Sequence, residues 1–279
     1  MLHLYSAGVQ TDESVDFDRI AIDCVLSSGA DIANIVNTAK ISAAKNDRTV
    51  LSAKDFEAAV LDVSNGVERQ SLQLGAPARR ALAISESACA LVSLLTKSSS
   101  RELRRISIVP RGLELSSSRS VPSSEDAMVS QSVEQLLARI DADIAGQIGQ
   151  ELLLGKSRIM SDSKTRCERA TKLARSMSAE LGMGKRLGFA ASMFANENVD
   201  WRTPYLPAQT RSAIDEDAVE RLKEAEERVL RLLRRNKSRL LALSEELLVR
   251  ESLGRKEIER VVEEVPEDDF EVKTTNKID

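Results

Sequence analysis

A single histidine, His3, stands in the whole chain of 279 residues. A metal centre built on two histidines is therefore out of reach at any position, and Cys89, far from His3 in the sequence, has no nearby imidazole base to activate it as a nucleophile. Cysteine is scarce as well. Cys24, Cys89 and Cys167 form no C-x-x-C pair and suit a reducing compartment. No run of about 20 apolar residues occurs, so the chain has no transmembrane segment of its own. Neither G-x-x-x-x-G-K-[ST] nor a hydrophobic run ending in paired acids is present, which excludes nucleotide binding and ATP hydrolysis for this chain on its own. No signal or transit peptide is recognisable at MLHLYSAG. The 40 Lys and Arg are outnumbered by 44 Asp and Glu, a net charge of −4, which argues against nucleic acid as a partner.

Aromatic residues are only 3% of the chain, while Leu, Ala, Ile and Val are plentiful among Lys, Arg and Glu. That mixture predicts a mainly α fold. Val15–Cys24 reads as a short helix. Ser28 is placed to cap Gly29–Lys45, where Ile32, Ile35, Val36, Ala39 and Ala43 make an apolar stripe. Ser52 caps a helix through Asn65 with Phe56, Val60 and Val63 inward, and Gly66 stops it. Pro77 suits the first turn of the next helix. Arg104–Val109 is the best strand candidate, and Leu115–Pro122, rich in serine, reads as an unconstrained loop. Helices are predicted over Glu125–Leu154, Asp162–Glu180, Asp215–Asn236 and Lys237–Val249, with a short last one after Gly254. The arginine runs at Arg101–Arg105 and Arg231–Arg239 read as solvated faces. From Glu263 onward the chain is polar and acidic and reads as a disordered tail.

The stretch Ala81–Val92, ALAISESACALV, is apolar except at Ser85-Glu86-Ser87. At 3.6 residues per turn, Ser85 and Cys89 project from one face with Glu86 beside them. This is the spacing of H-E-x-x-H, in which two histidines hold zinc and the glutamate activates water. Here it reads S-E-x-x-C. Taken alone, Ser and Cys on a buried helix are ordinary small packing residues.

Five further segments give the pattern weight: SGADIANIVNTAKISAAK, KDFEAAVLDVSNGVER, ISIVPRG, ERATKLARSM with LGMGKRLG, and AIDEDAVERLKEAEERVLRLL. In this order and spacing, Ser28 to Arg260 resembles the C-terminal half of the FtsH-type membrane-anchored AAA metalloproteases. The resemblance implies an AAA-lid-like helical domain over 1–75, a peptidase-like helical domain with a short β-hairpin or small sheet over 76–263, and the acidic tail over 264–279. It also implies a third zinc ligand, an aspartate, where this chain has Arg166. The former ligand positions are thus Ser85, Cys89 and Arg166, and the former general base is Glu86. A guanidinium has no lone pair to offer a cation. The family's G-G-R-x-x-E-E corresponds to Ala145-Gly146-Gln147-Ile148-Gly149-Gln150-Glu151, whose glutamines suggest relaxed constraint.

The expectation is a protein that is no enzyme and needs no metal or other cofactor, with Glu86 paired to Arg166 in place of zinc chemistry. It would serve as a structural subunit of a large organellar assembly, or as a regulatory subunit associating with active AAA protease rings. I-V-P-R-G followed by Pro122, and Pro204-Tyr205 ahead of Ala213-Ile214-Asp215, resemble the mitochondrial branch. A mitochondrial matrix or inner-membrane location is expected, with a plastid as the alternative.

Overall fold

Helices dominate the computed structural model, and one small three-stranded sheet accompanies them. It describes residues 2–24, 27–69, 71–72, 74–124, 126–189 and 207–268. Contacts divide the chain into two units: Met1–Gln73 with Val109–Ser117, and Leu74–Ile108 with Ser118–Asp279.

In the first unit, short polar side chains decide where helices begin. After a single turn, α1 (Leu2–Tyr5), comes α2 (Phe17–Asp23), which starts where Asp16 accepts the N–H groups of Asp18 and Arg19. Ser28 opens α3 (Gly29–Lys45) through a capping box: its hydroxyl accepts the Asp31 N–H at 3.2 Å, and the Asp31 carboxylate accepts the Ser28 N–H at 2.8 Å. Asp55 takes the Ser52 N–H at 2.9 Å at the start of α4 (Ala53–Asn65). Asp55 is 3% exposed, and the Arg48 fork grips it at 2.7 and 2.8 Å. Ile35, Val36, Ala39, Phe56 and Val60 form the core, and Phe17 meets Phe56 edge-on at 5.9 Å between ring centroids. Gly66 ends α4 at φ +85°, where a Cβ would lie 2.9 Å from the Gly112 Cα. Arg111, from the same returning segment, donates to Asp62 at 2.6 Å.

The second unit is built around α5 (Ala76–Leu95), with Pro77 in its first turn and every residue from Ala81 to Val92 buried. Next come β1 (Arg101–Ser107), β2 (Ser117–Pro122), the short α6 (Asp126–Val129), α7 (Val133–Leu154), α8 (Lys164–Ala179), α9 (Ala208–Arg235), α10 (Lys237–Arg250), β3 (Ser252–Gly254) and α11 (Arg255–Glu264). Helix α5 packs on α7, α10 and β1, so over Ala81–Val92 no face of it meets water, as suits a largely apolar stretch. It lies close to α7 because α7 carries glycine at the crossing. A Cβ on Gly149 would sit 2.6 Å from the Ala88 Cβ, and one on Gly146 would collide with the Ser85 Oγ. On the other side of α7, Leu136 and Ile140 pack with Ala170, Ala174 and Met177 of α8 and Ala218 and Ala225 of α9.

Several expectations are corrected. Ser117–Pro122 is a strand and no loose loop. The sheet order is β2-β1-β3, and Arg101 holds β2 by donating to the Ser120 hydroxyl at 3.0 Å and its carbonyl at 2.5 Å. Tertiary pairing overrides the turn preference of serine. Strand β1 begins three residues earlier than read, and its partner β3, antiparallel with Ile106 opposite Leu253, was not foreseen. The helix read as Glu125–Leu154 breaks, because Ser132 and Gln135 form a capping box that starts α7 afresh. The arginine runs are not wholly solvated: Arg101 is half-buried, and the Arg239 guanidinium donates to the Val265 carbonyl at 2.7 Å. Asp268 accepts the Ser238 N–H at 2.8 Å, so the reading of a loose tail from Glu263 does not hold through Asp268. Residues 269–279 and the Pro204-Tyr205 motif lie outside the described residues.

Two measurements test this packing. Gly149→Ala gains about 1 kcal/mol of helix propensity, yet crowding against Ala88 is expected to leave it about 1–2 kcal/mol less stable, read as a lower urea midpoint. In the first unit, the Arg48 fork, opposed by burial and aided by Ser52, holds the Asp55 carboxyl well below the usual carboxylate range. A depressed carboxylate stabilises fully above its unfolded pKa, near 4, and that stability drains as pH falls below it. The stability gap between the unmodified chain and Asp55→Asn is therefore expected to shrink from about pH 4 downward; a gap constant from pH 6 to pH 2 would refute it.

Candidate functional site

The turn of α5 at 85–89 brings Ser85, Glu86 and Cys89 into the interior, and the first turn of α8 delivers Arg166 to them. The guanidinium of Arg166 donates from Nη2 to both Glu86 oxygens, at 2.5 and 2.7 Å, and from Nη1 to the Cys89 Sγ at 2.8 Å. Glu86 is 1% exposed and the Arg166 side chain 14%. The expected Glu86–Arg166 pair is therefore present, and Cys89 shares the same fork. Ser85 lies elsewhere on the turn, with its Oγ against the backbone of α7 at Gly146. Two of the three former ligand positions thus meet each other directly.

Charges around the fork settle how these groups ionise. Burial pushes the Cys89 thiol up to about 11; Arg166 opposes this, while Glu86 and Asp143 add to it. Cys89 therefore stays a neutral thiol at physiological pH and is no nucleophile. Burial works against the charge on Arg166, but the hydrogen-bonded Glu86, with Asp143 beyond it, opposes this and the guanidinium stays protonated. Asp143, on α7, is raised by burial despite Arg169, Arg139 and Arg166 nearby.

The supporting residues were underread in the sequence. Gln150 is fully buried, donates to the Ala81 carbonyl at 3.1 Å and accepts the Met160 N–H at 3.0 Å. It ties α7 both to α5 and to the turn before α8. Gln147 accepts the Cys167 thiol at 3.0 Å. Both glutamines thus bond from α7 to other elements. Asp143, paired with Arg169 at 2.9 Å, was missed. The four-residue spacing of Arg139 and Asp143 and the three-residue spacing of Arg166 and Arg169 were the available signals.

Zinc does not fit these residues. The guanidinium of Arg166 fills the space between Glu86 and Cys89 with N–H groups, which carry no lone pair for a cation. Cys89 would have to lose a proton that its surroundings retain. What the arrangement does instead is join α5 to α8 across the interior by a charge-assisted fork.

Removing one partner strands the other. Arg166→Leu is expected to destabilise the chain by about 3–5 kcal/mol, because Glu86 loses its cation inside the protein. The double variant Glu86→Gln/Arg166→Leu is expected to cost clearly less than the two single changes added together. Strict additivity in urea unfolding would show that the two groups are not energetically coupled.

Comparison with known proteins agrees with this geometry in extent and order. The profile of Peptidase family M41 matches residues 73–261, and that of the AAA+ lid domain matches 14–58. The chain is 32% identical over 262 residues to ATP-dependent zinc metalloprotease FTSH 11, chloroplastic/mitochondrial, of Arabidopsis thaliana, covering 94% of this chain and 31% of that protein. It is 31% identical to FTSH 9, chloroplastic/mitochondrial, of Oryza sativa subsp. japonica, over 94% of this chain and 34% of that protein. It is 33% identical to the YME1 homolog of Schizosaccharomyces pombe, over 92% of this chain and 35% of that protein. The chain spans about a third of the length of these curated relatives. Their organellar names agree with a mitochondrial protein, a plastid being the alternative. The expectation that the chain is no enzyme is overturned. The family whose profile covers it is one of peptidases, and its relatives are named ATP-dependent zinc metalloproteases. With the profile running from the turn before α5 into α11, the chain belongs to peptidase family M41.

Proposed function

We propose that this chain serves as a structural subunit, a scaffold, within a larger organellar protein complex of the mitochondrial matrix or inner membrane. One observation carries the reading: the guanidinium of Arg166, at one former ligand position of the resembled family, lies on Cys89, at another, and on Glu86, at that of the general base. A domain whose interior is closed by its own ion pair holds its helices together without a bound metal. Its partners are then other protein subunits, met through helical surfaces dense in charged residues.

The collinear lid and peptidase matches support a second reading, a regulatory subunit that associates with rings of active AAA proteases. The two readings differ in company. Native purification from the source organism, followed by mass spectrometry of what stays bound, is expected to return the chain in fixed proportion with the subunits of one large assembly. Full-length AAA protease subunits in fixed proportion would replace the first reading by the second. A chain recovered alone, at the mass of a single copy, would overturn both.

A further inference from the structure

Helix α10 begins without a cap of its own. Its N-cap residue, Asn236, donates its amide back to the Leu232 carbonyl at 2.9 Å and accepts Arg239 at 2.8 Å, so its side chain caps no N–H of α10. Asp268 supplies the cap from 30 residues away. One oxygen of its carboxylate accepts the Ser238 N–H at 2.8 Å, and the other accepts the Ser238 hydroxyl. Those two bonds hold the Asp268 carboxyl below the usual carboxylate range, so it is an anion at neutral pH. The Asp268 N–H in turn donates at 2.8 Å to the carbonyl of Arg235, the last residue of α9. Arg239 adds the Val265 carbonyl at 2.7 Å and Glu267 at 3.1 Å. Residues 265–268 are thus a strap across the α9–α10 corner, and a serine hydroxyl is one of its anchors. Ser238 is exposed, and so are Arg234, Arg235 and Lys237 just ahead of it. An accessible serine behind clustered cations suits kinases that read charge before the acceptor. Ser107 follows Arg104 and Arg105 in the same way, but it is 8% exposed within β1 and donates to the Glu251 carbonyl at 3.1 Å. The fold offers Ser238 and withholds Ser107.

We propose that Ser238 is a phosphorylation site for an arginine-directed serine kinase, and that phosphate there releases the strap 265–268 from the corner. In the transfer, the bond from the γ-phosphorus of a nucleoside triphosphate to its bridging oxygen breaks, and a bond from Ser238 Oγ to that phosphorus forms. The hydroxyl proton passes to the kinase's base, the nucleoside diphosphate leaves, and nothing is oxidised or reduced. The proton lost is the one that joins Oγ to Asp268. Afterwards both groups are acceptors only, and the phosphate brings about −1.5 to −2 charges against a carboxylate. The phosphate keeps what the corner offers an anion, the N–H groups and positive end of α10 with Arg239 next in the chain. Asp268 loses its two bonds and is repelled as well. The first turn of a helix opens at little cost, which lets a kinase draw Ser238 into its cleft. None of this depends on which complex holds the chain.

The test incubates the full 279-residue chain with ATP and an arginine-directed serine kinase, and locates the phosphate by mass spectrometry. Phosphate is expected at Ser238 and is expected to be lost there in Ser238→Ala, while Ser107 stays unmodified. Hydrogen exchange then reads the strap. The amides of Ser238 and Asp268 are expected to exchange about tenfold faster or more once the phosphate is on. Asp268→Ala removes the anchor without phosphate, so its Ser238 amide is expected to exchange fast from the outset, and phosphate on that variant adds no further loosening. A serine that merely supports the helix would not give this dependence on Asp268. No phosphate at Ser238 of the unmodified chain would overturn the proposal. So would phosphate that leaves both amides as slow as before, or that loosens Asp268→Ala by the same further factor.

Discussion

A carboxylate held at 1% exposure inside a bundle of helices is the constraint on which the second unit depends. Left alone, Glu86 would have to give up its charge or move to water, because an unpaired ion in a low-dielectric interior costs several kcal/mol. The Arg166 fork removes that choice by satisfying both oxygens at once. This ties the start of α8 to the middle of α5, and α8 in turn packs against both α7 and α9. The interaction also explains the third member. Cys89 lies within reach of the same guanidinium, yet burial keeps it a thiol, so the cluster carries one positive and one negative charge and no more.

This neutrality connects the chain to the family it belongs to. In the resembled site a zinc dication and an aspartate ligand together contribute one positive charge opposite the glutamate. Arg166 contributes the same single charge from the aspartate's position. Losing the metal while keeping the aspartate would have faced one buried carboxylate with another, and like charges at that range are among the strongest repulsions a core can hold. Exchange of a carboxylate for a guanidinium keeps Glu86 compensated, whereas exchange for a neutral side chain would not. Small residues then let the helices close around it. Glycines 146 and 149 bring α7 against α5 at the level of Ser85 and Ala88, and Gln150 fastens the contact by bonding the α5 backbone.

What could be read in the residues follows how local the cause is. Ser28 with Asp31, Ser52 with Asp55, Gly66 and Pro77 act within one helical turn, and α3, α4 and α5 begin, and α4 ends, where those residues place them. The Glu86–Arg166 pair, across 80 positions of sequence, was legible only because the resemblance mapped Arg166 onto a ligand position. Where the cause was tertiary and no such map existed, the reading failed. Ser117–Pro122 became a strand through Arg101 and the neighbouring β1. The amide of Gln150 is fully buried, a fact that its polar side chain conceals in a sequence. Arg101, read as one of a solvated run, is half-buried for the same reason.

The burial of Arg101 and Gln150 has a common physical origin, and it bears on what the domain retains. Stability alone puts no obligation on a chain to keep polar groups in its interior, since apolar residues of similar volume are often equally stable or more so. Yet Glu86, Arg166, Gln150, Asp143 and Arg101 all remain there, most of them bonded across elements rather than along one. Such bonds have angular demands that apolar packing lacks, so they select one relative placement of α5, α7, α8 and the sheet over nearby alternatives. What these bonds add is therefore definition of the surface the helices present rather than extra stability.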